Sequence, residues 1–127
     1  MLKRFYFGAA VFWTGIIAYF SLVQWNDLPF KSVSNMDKLV HSFFHFVFAV
    51  LWFLYFNLKL ESVKWTKPLL ISVLFSLLFG IGIEILQECF TTSRHADVFD
   101  VIANISGASL ASIFIIYFYG YINRIKI

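Results

Sequence analysis

The chain has 127 residues, 61% hydrophobic and 13% charged, where soluble domains carry roughly 25% charged residues. With 17 Phe in that length, the composition excludes a soluble globular domain and fits a single domain, residues 1–127, embedded in lipid. The net charge of +3 comes from basic residues scattered over short loops and ends, which excludes a nucleic-acid-binding face.

Residues 5–26, 39–58, 68–83 and 101–123 contain no Asp, Glu, Lys or Arg. Crossing the hydrocarbon core takes about 20 apolar residues in a helix, so these gaps predict four spans. The first runs from Phe5 to Gln24. It is too long for the apolar region of a secretory signal, and its end lacks a small-x-small cleavage site, so it reads as a retained helix. It carries no ionisable residue and reads as an anchor or packing wall. The second span runs from Asp37 to Leu58, with Asp37 at a helix start, where a carboxylate accepts from free backbone N–H groups. The third runs from Pro68 to Phe90. Pro68 suits a first turn, and the span reaches full length only by taking Glu84 into the membrane, which makes it the weakest of the four by charge spacing. The fourth runs from Asp97 to Tyr119, with Asp97 at its start.

Short linkers predict an all-α, antiparallel four-helix bundle, with both termini on one side. That side holds Lys3, Arg4, Lys59, Lys64, Lys67, Arg124 and Lys126, against Lys31, Lys38 and Arg94 on the other. The positive-inside rule then places both termini in the cytoplasm. Tyr6, Tyr55, Trp65, Tyr117, Tyr119 and Tyr121 fall at the inner interface and Trp25 at the outer one, where amphipathic rings settle.

On this topology the polar residues of the spans gather in the outer half of the membrane, and the inner half holds no buried ionisable residue. Asp37, His41 and His45 share one face of the second helix. Glu84, Gln87 and Glu88 share a face in the last two turns of the third. Asp97, Asp100 and Asn104 share a face of the fourth, and Arg94 and His95 lie in the loop between them. Ionisable groups at such depth turn inward and find partners. The expected partners of Glu84 are Arg94 and His41, with Glu88 as a like-charge neighbour that disfavours double ionisation. Gly107, Ala108 and Ala111, with Gly80 and Gly82 on the third helix, read as small residues for close helix packing. Cys89, the single cysteine, excludes an intramolecular disulfide and reads as a buried apolar residue.

The elements Asp37-Lys38-x-x-His41, Gly80-x-x-x-Glu84-x-x-Gln87 and Arg94-x5-Asp100-x3-Asn104-x2-Gly107 together resemble the VanZ-like family of small bacterial membrane proteins. The resemblance runs from about Asp37 to Ala111. His45, at a position commonly aromatic in that pattern, and Glu88 depart from it and make the site more ionisable. The resemblance implies a place in the bacterial cytoplasmic membrane and an envelope role like that of the family's namesake, which confers resistance to the glycopeptide teicoplanin. It implies no catalytic activity and calls for no cofactor.

The residues themselves leave three functions open. An outward polar pocket formed by Asp37, Lys38, His41, His45, Glu84, Gln87, Glu88, Arg94, Asp97, Asp100 and Asn104 would bind a lipid headgroup, a lipid-linked peptidoglycan precursor or a glycopeptide. An enzyme acting on a lipid-linked substrate would use Glu84, His41 and Asp100 in acid–base chemistry. A small transporter would need a polar route through the inner half, which the apolar stretches at 50–56, 69–78 and 113–118 oppose. His41, His45 and Glu84 have the chemistry of metal ligands, but helical His pairs are common without metal and no metal is expected. The same polar residues would also serve as an interior network that fixes helix register.

Overall fold

The computed structural model describes residues 2–22, 36–60, 64, 66–90 and 98–126; at 36, 37, 90 and 119–126 it describes the backbone only. The described residues form four helices: α1 (Leu2–Leu22), α2 (Met36–Lys59), α3 (Thr66–Phe90) and α4 (Val98–Lys126). Each is long and apolar enough to cross a membrane. The helix ends differ from expectation, most of all at two places. Helix α1 already includes Lys3 and Arg4, and α4 runs past Tyr119 through Arg124. Long basic side chains let a helix continue beyond the hydrocarbon, because stems lie along the apolar surface while heads reach water. A charge-free stretch therefore marks what lies in lipid and leaves the helix end unmarked. Pro68 stands in the first turn of α3, where its missing N–H leaves no partner unpaired.

Helix α2 is the hub. It touches the other three, most extensively α4, while α1 and α4 do not meet among the described residues. Its buried positions, His41, His45, Phe48, Ala49, Trp52, Phe53 and Asn57, follow the 3.6-residue period of a one-faced helix. Phe7 of α1 lies 5.1 Å from Tyr55 and Trp13 lies 5.8 Å from Phe44, ring centre to ring centre. The Trp13 indole N–H donates to the Phe44 carbonyl at 3.0 Å, and that of Trp52 donates to the Thr14 hydroxyl at 3.2 Å. Phe48 stacks on Phe79 at 5.1 Å and meets Phe75 edge-on at 5.2 Å, which ties α3 to α2. Phe46 meets Phe114 at 5.7 Å, tying α4 to α2.

The polarity of α3 and α4 is reversed from that of helices in a soluble protein. Helix α3 buries Pro68, Ser72, Ser76, Gly80, Ile83, Glu84 and Gln87, and exposes Leu70, Leu74, Leu78, Ile81, Ile85 and Leu86. Helix α4 buries Asp100, Asn104, Gly107, Ala108, Ala111 and Ile115, and exposes Ile102, Ile105, Leu110, Ile113 and Ile116. Small and polar residues inside with branched apolar residues outside is the arrangement a lipid solvent selects. It also corrects two expectations. Helix α3 is not the weakest span, since its best window is more apolar than that of any other helix. Cys89 is exposed; a thiol is apolar enough to face lipid, so nothing drives it inward.

The glycines separate by what faces them. A Cβ on Gly107 would overlap the Ser42 carbonyl oxygen and lie 2.9 Å from its carbon and 3.1 Å from the Phe46 nitrogen. Here the α2 and α4 backbones are in direct contact. Gly82, by contrast, faces open space and serves no close approach.

Candidate functional site

Three helices each bring one ionisable side chain to a common point. His41 of α2, Glu84 of α3 and Asp100 of α4 are 2%, 4% and 3% exposed. One ligand-type atom from each lies within 4.8 Å of the others. The His41 Nε2 is 3.7 Å from Asp100 Oδ2. The other Asp100 oxygen, Oδ1, accepts from the Lys38 ammonium at 2.6 Å. Lys38 is the rim of the group, its side chain 28% exposed. This charge-assisted contact is short and strong, and it holds a lysine whose default in a membrane is to reach for the interface.

A second layer lies one helical turn further into the bundle. Moving four residues along α2 from His41 gives His45, four back along α3 from Glu84 gives Gly80, and four along α4 from Asp100 gives Asn104. These three residues touch. A Cβ at Gly80 would lie 2.7 Å from the Asn104 amide nitrogen and 3.2 Å from His45 Cε1. Gly80 is thus the recess in which the two polar side chains fit. His45 Nδ1 and the Ser76 hydroxyl share a buried hydrogen bond of 2.7 Å. Asn104 Oδ1 is buried and accepts no hydrogen bond from the described residues. Toward the opposite end, the Gln87 amide donates to the Ser21 carbonyl of α1 at 2.6 Å.

The anticipated polar set thus divides. Lys38, His41, Glu84 and Asp100 form one group; His45 and Asn104 form the layer beneath; Gln87 pins α1. Glu88 is exposed and stands outside the buried group. Four residues beyond Glu84 it looks to be on the same face, but a stripe stepping by four drifts by about 40° per step from a 3.6-residue helix. The interior line of α3 corrects for that by stepping from Glu84 to Gln87. For Asp37 the structure describes the backbone alone, and Arg94, His95 and Asp97 lie outside the described residues. The metal-type constellation also changes membership: His45 is engaged with Ser76, and Asp100 takes its place beside His41 and Glu84.

The serines are the residues that sequence reading passed over. Ser72 and Ser76 are buried, as is Ser21, whose carbonyl receives Gln87. A signal existed in the four-residue spacing of Pro68, Ser72, Ser76, Gly80 and Glu84, a continuous small and polar stripe that winds along α3. Asn57 is likewise buried, in the half of α2 expected to lack interior polarity, although it is not ionisable.

A four-helix, multi-pass membrane protein with an apolar exterior and a buried ionisable group between α2, α3 and α4 is the class that fold and site define. The family model described as VanZ/LLP1 matches residues 6–119. The chain belongs to the VanZ/LLP1 family, and the match takes in α1 as well as the three helices that carry the polar layers. No curated protein and no solved structure matches it.

Proposed function

We propose that this protein is a multi-pass protein of the bacterial cytoplasmic membrane that binds a headgroup in the outer leaflet, at the Lys38, His41, Glu84 and Asp100 group. The bundle is antiparallel with both termini cytoplasmic. Support for the first point comes from the pairing of Phe7 with Tyr55 and Trp13 with Phe44. Support for the second comes from Lys3, Arg4 and Lys59, which line one cavity of about 290 Å³ at the end away from the site.

The observation that carries the reading is the convergence of Lys38, partly exposed, with three buried partners from separate helices. Register alone is satisfied by fewer groups, and ionisable residues at membrane depth mark ligand sites. With two carboxyl groups against one ammonium and one imidazole, the group favours a ligand rich in hydroxyls or amines over a simple phosphate. Lipid-linked peptidoglycan precursors and glycopeptides both offer such groups, as do hydroxylated or amine-bearing phospholipid headgroups.

Native mass spectrometry in mild detergent, with chelator present, tests it in three arms: phospholipid, lipid-linked disaccharide precursor, and teicoplanin. Wild type retains one of these, and Asp100→Asn retains at least tenfold less. Retention of none ends the reading. A teicoplanin-resistance role follows from the third arm alone.

A second reading rests on the His41–Asp100 approach beside Glu84, which is the equipment of general acid–base chemistry on a lipid-linked substrate. It predicts turnover of the bound precursor that Glu84→Gln abolishes while binding persists. The transporter reading gains no support, because Phe48, Trp52, Phe53 and Ile115 fill the interior beyond the polar layers.

A further inference from the structure

The same three buried ligands carry a conclusion that stands apart from headgroup binding. We infer that His41, Glu84 and Asp100 form a site for a divalent first-row transition cation of the Zn²⁺ or Mn²⁺ kind. Each ligand comes from a different helix, and the three ligand atoms lie within 4.8 Å of one another. Metal–ligand bonds of about 2.0–2.2 Å in tetrahedral geometry set neighbouring ligand atoms roughly 3.3 Å apart. The His41 Nε2 and Asp100 Oδ2, at 3.7 Å, are already near that spacing. Small rotamer adjustments of Glu84 close the rest.

Burial separates this cluster from the carboxylate groupings of ordinary surfaces. All three residues are removed from solvent within a helix bundle that spans lipid. The Lys38 ammonium is bonded to Asp100 Oδ1 at the rim of the group. A dication held between the two carboxyl groups takes the place of that ammonium, and Lys38, partly exposed, has a route outward. Lysine is thus the resident cation of the metal-free site, and the metal is its competitor.

Donor type narrows the cation. One imidazole and two carboxylates suit Zn²⁺, Mn²⁺ or Fe²⁺, and the lack of thiolate disfavours soft monovalent copper; the single cysteine, Cys89, is exposed. Three protein ligands leave a coordination position open, the pattern of sites that hold water or substrate. An independent mark lies in the layer beneath. Asn104 Oδ1, one turn from Asp100 on the same face of α4, is buried and has no hydrogen-bond partner among the described residues. A metal-bound water is the kind of donor such an orphan acceptor lacks.

The test uses the full chain in mild detergent, stripped with chelator and titrated with Zn²⁺ alone, with no lipid added. Wild type binds one Zn²⁺ per chain. Co²⁺ in its place gives the visible absorption of a low-coordinate nitrogen–oxygen site. His41→Ala, Glu84→Gln and Asp100→Asn each weaken Zn²⁺ at least tenfold, whereas Lys38→Met binds as tightly as wild type or more tightly. Wild-type binding no stronger than in the triple variant, or equal binding in Asp100→Asn, overturns the inference. If the variants fail to fold, wild type decides it: absence of both the Co²⁺ spectrum and a Zn²⁺-dependent rise in thermal midpoint refutes the site. Headgroup retention is measured in chelator and Zn²⁺ binding without lipid, so the failure of one is distinguishable from the failure of the other.

Discussion

Replacing Gly107 by alanine should be among the most damaging single-methyl changes in the protein. The added Cβ meets backbone on all sides: it overlaps the Ser42 carbonyl oxygen, with the carbonyl carbon at 2.9 Å and the Phe46 nitrogen at 3.1 Å. No rotamer relieves this, because none of the three atoms belongs to a side chain. Restoring ordinary contact requires α4 to move bodily away from α2, along the most extensive helix pair of the bundle. Overpacking that side chains absorb costs about 1–3 kcal/mol, so a clash that only a helix shift relieves is expected at about 3 kcal/mol or above. The control is Gly82→Ala, which enters open space and replaces glycine by a better helix former, so it should be neutral or mildly stabilising. Both are compared with wild type by heating in detergent and following the folded peak on size exclusion. A Gly107→Ala protein within about 0.5 kcal/mol of Gly82→Ala would refute the claim that backbone contact holds α2 and α4 together, given the spread of mild substitutions.

Gly80→Ala should cost less, about 1–2 kcal/mol, because its Cβ meets the Asn104 side chain at 2.7 Å and the edge of His45 at 3.2 Å, both able to yield. Adding Asn104→Ala should restore much of that loss, a coupling readable in a double-mutant cycle. Lys38→Met leaves the Asp100 carboxylate without its ammonium and should destabilise by about 2 kcal/mol, below the 3–5 of a fully buried pair because Lys38 is partly exposed. The double variant Lys38→Met, Asp100→Asn should recover most of it, and a double variant no more stable than Lys38→Met would mean that the ion pair carries no such weight. With the exposed Cys89 replaced by serine, single cysteines at Lys64 and Arg94 should label from opposite sides of the membrane, and labelling from one side would remove the basis for placing the site in the outer leaflet.

The four spans were legible because a charge inside hydrocarbon is expensive, so charge-free stretches of sequence record where lipid lies. The same logic singled out His41, Glu84 and Asp100 as residues that turn inward, and all three are buried. It failed where expense gives no signal. Helix ends past Lys3 and Arg124 are free to continue in water. Cys89 is content against lipid, so its apolarity says nothing about burial. The partnership of His45 with Ser76 was hidden because a serine in a membrane helix costs little and announces nothing. Glu88 was misplaced for a geometric reason: face assignments by four-residue spacing lose their accuracy within a few turns.

The division between packing residues and site residues, natural on the sequence, dissolves in the fold. Asp has a short side chain, and Asp100 reaches both Lys38 and His41 of α2 from a helix whose backbone runs in contact with that of α2 at Gly107, seven residues on. Gly80 plays the corresponding part for α3, giving Asn104 and His45 a recess directly beneath the Glu84 level. The two glycines therefore set the spacing of the three ligands. It follows that Gly107→Ala should weaken Zn²⁺ binding even in the fraction that stays folded, although its methyl group lies roughly 10 Å from Asp100 along the helix. Unchanged affinity in that folded fraction would show that the ligands find one another without the close approach. The small-residue stripe would then answer to stability alone.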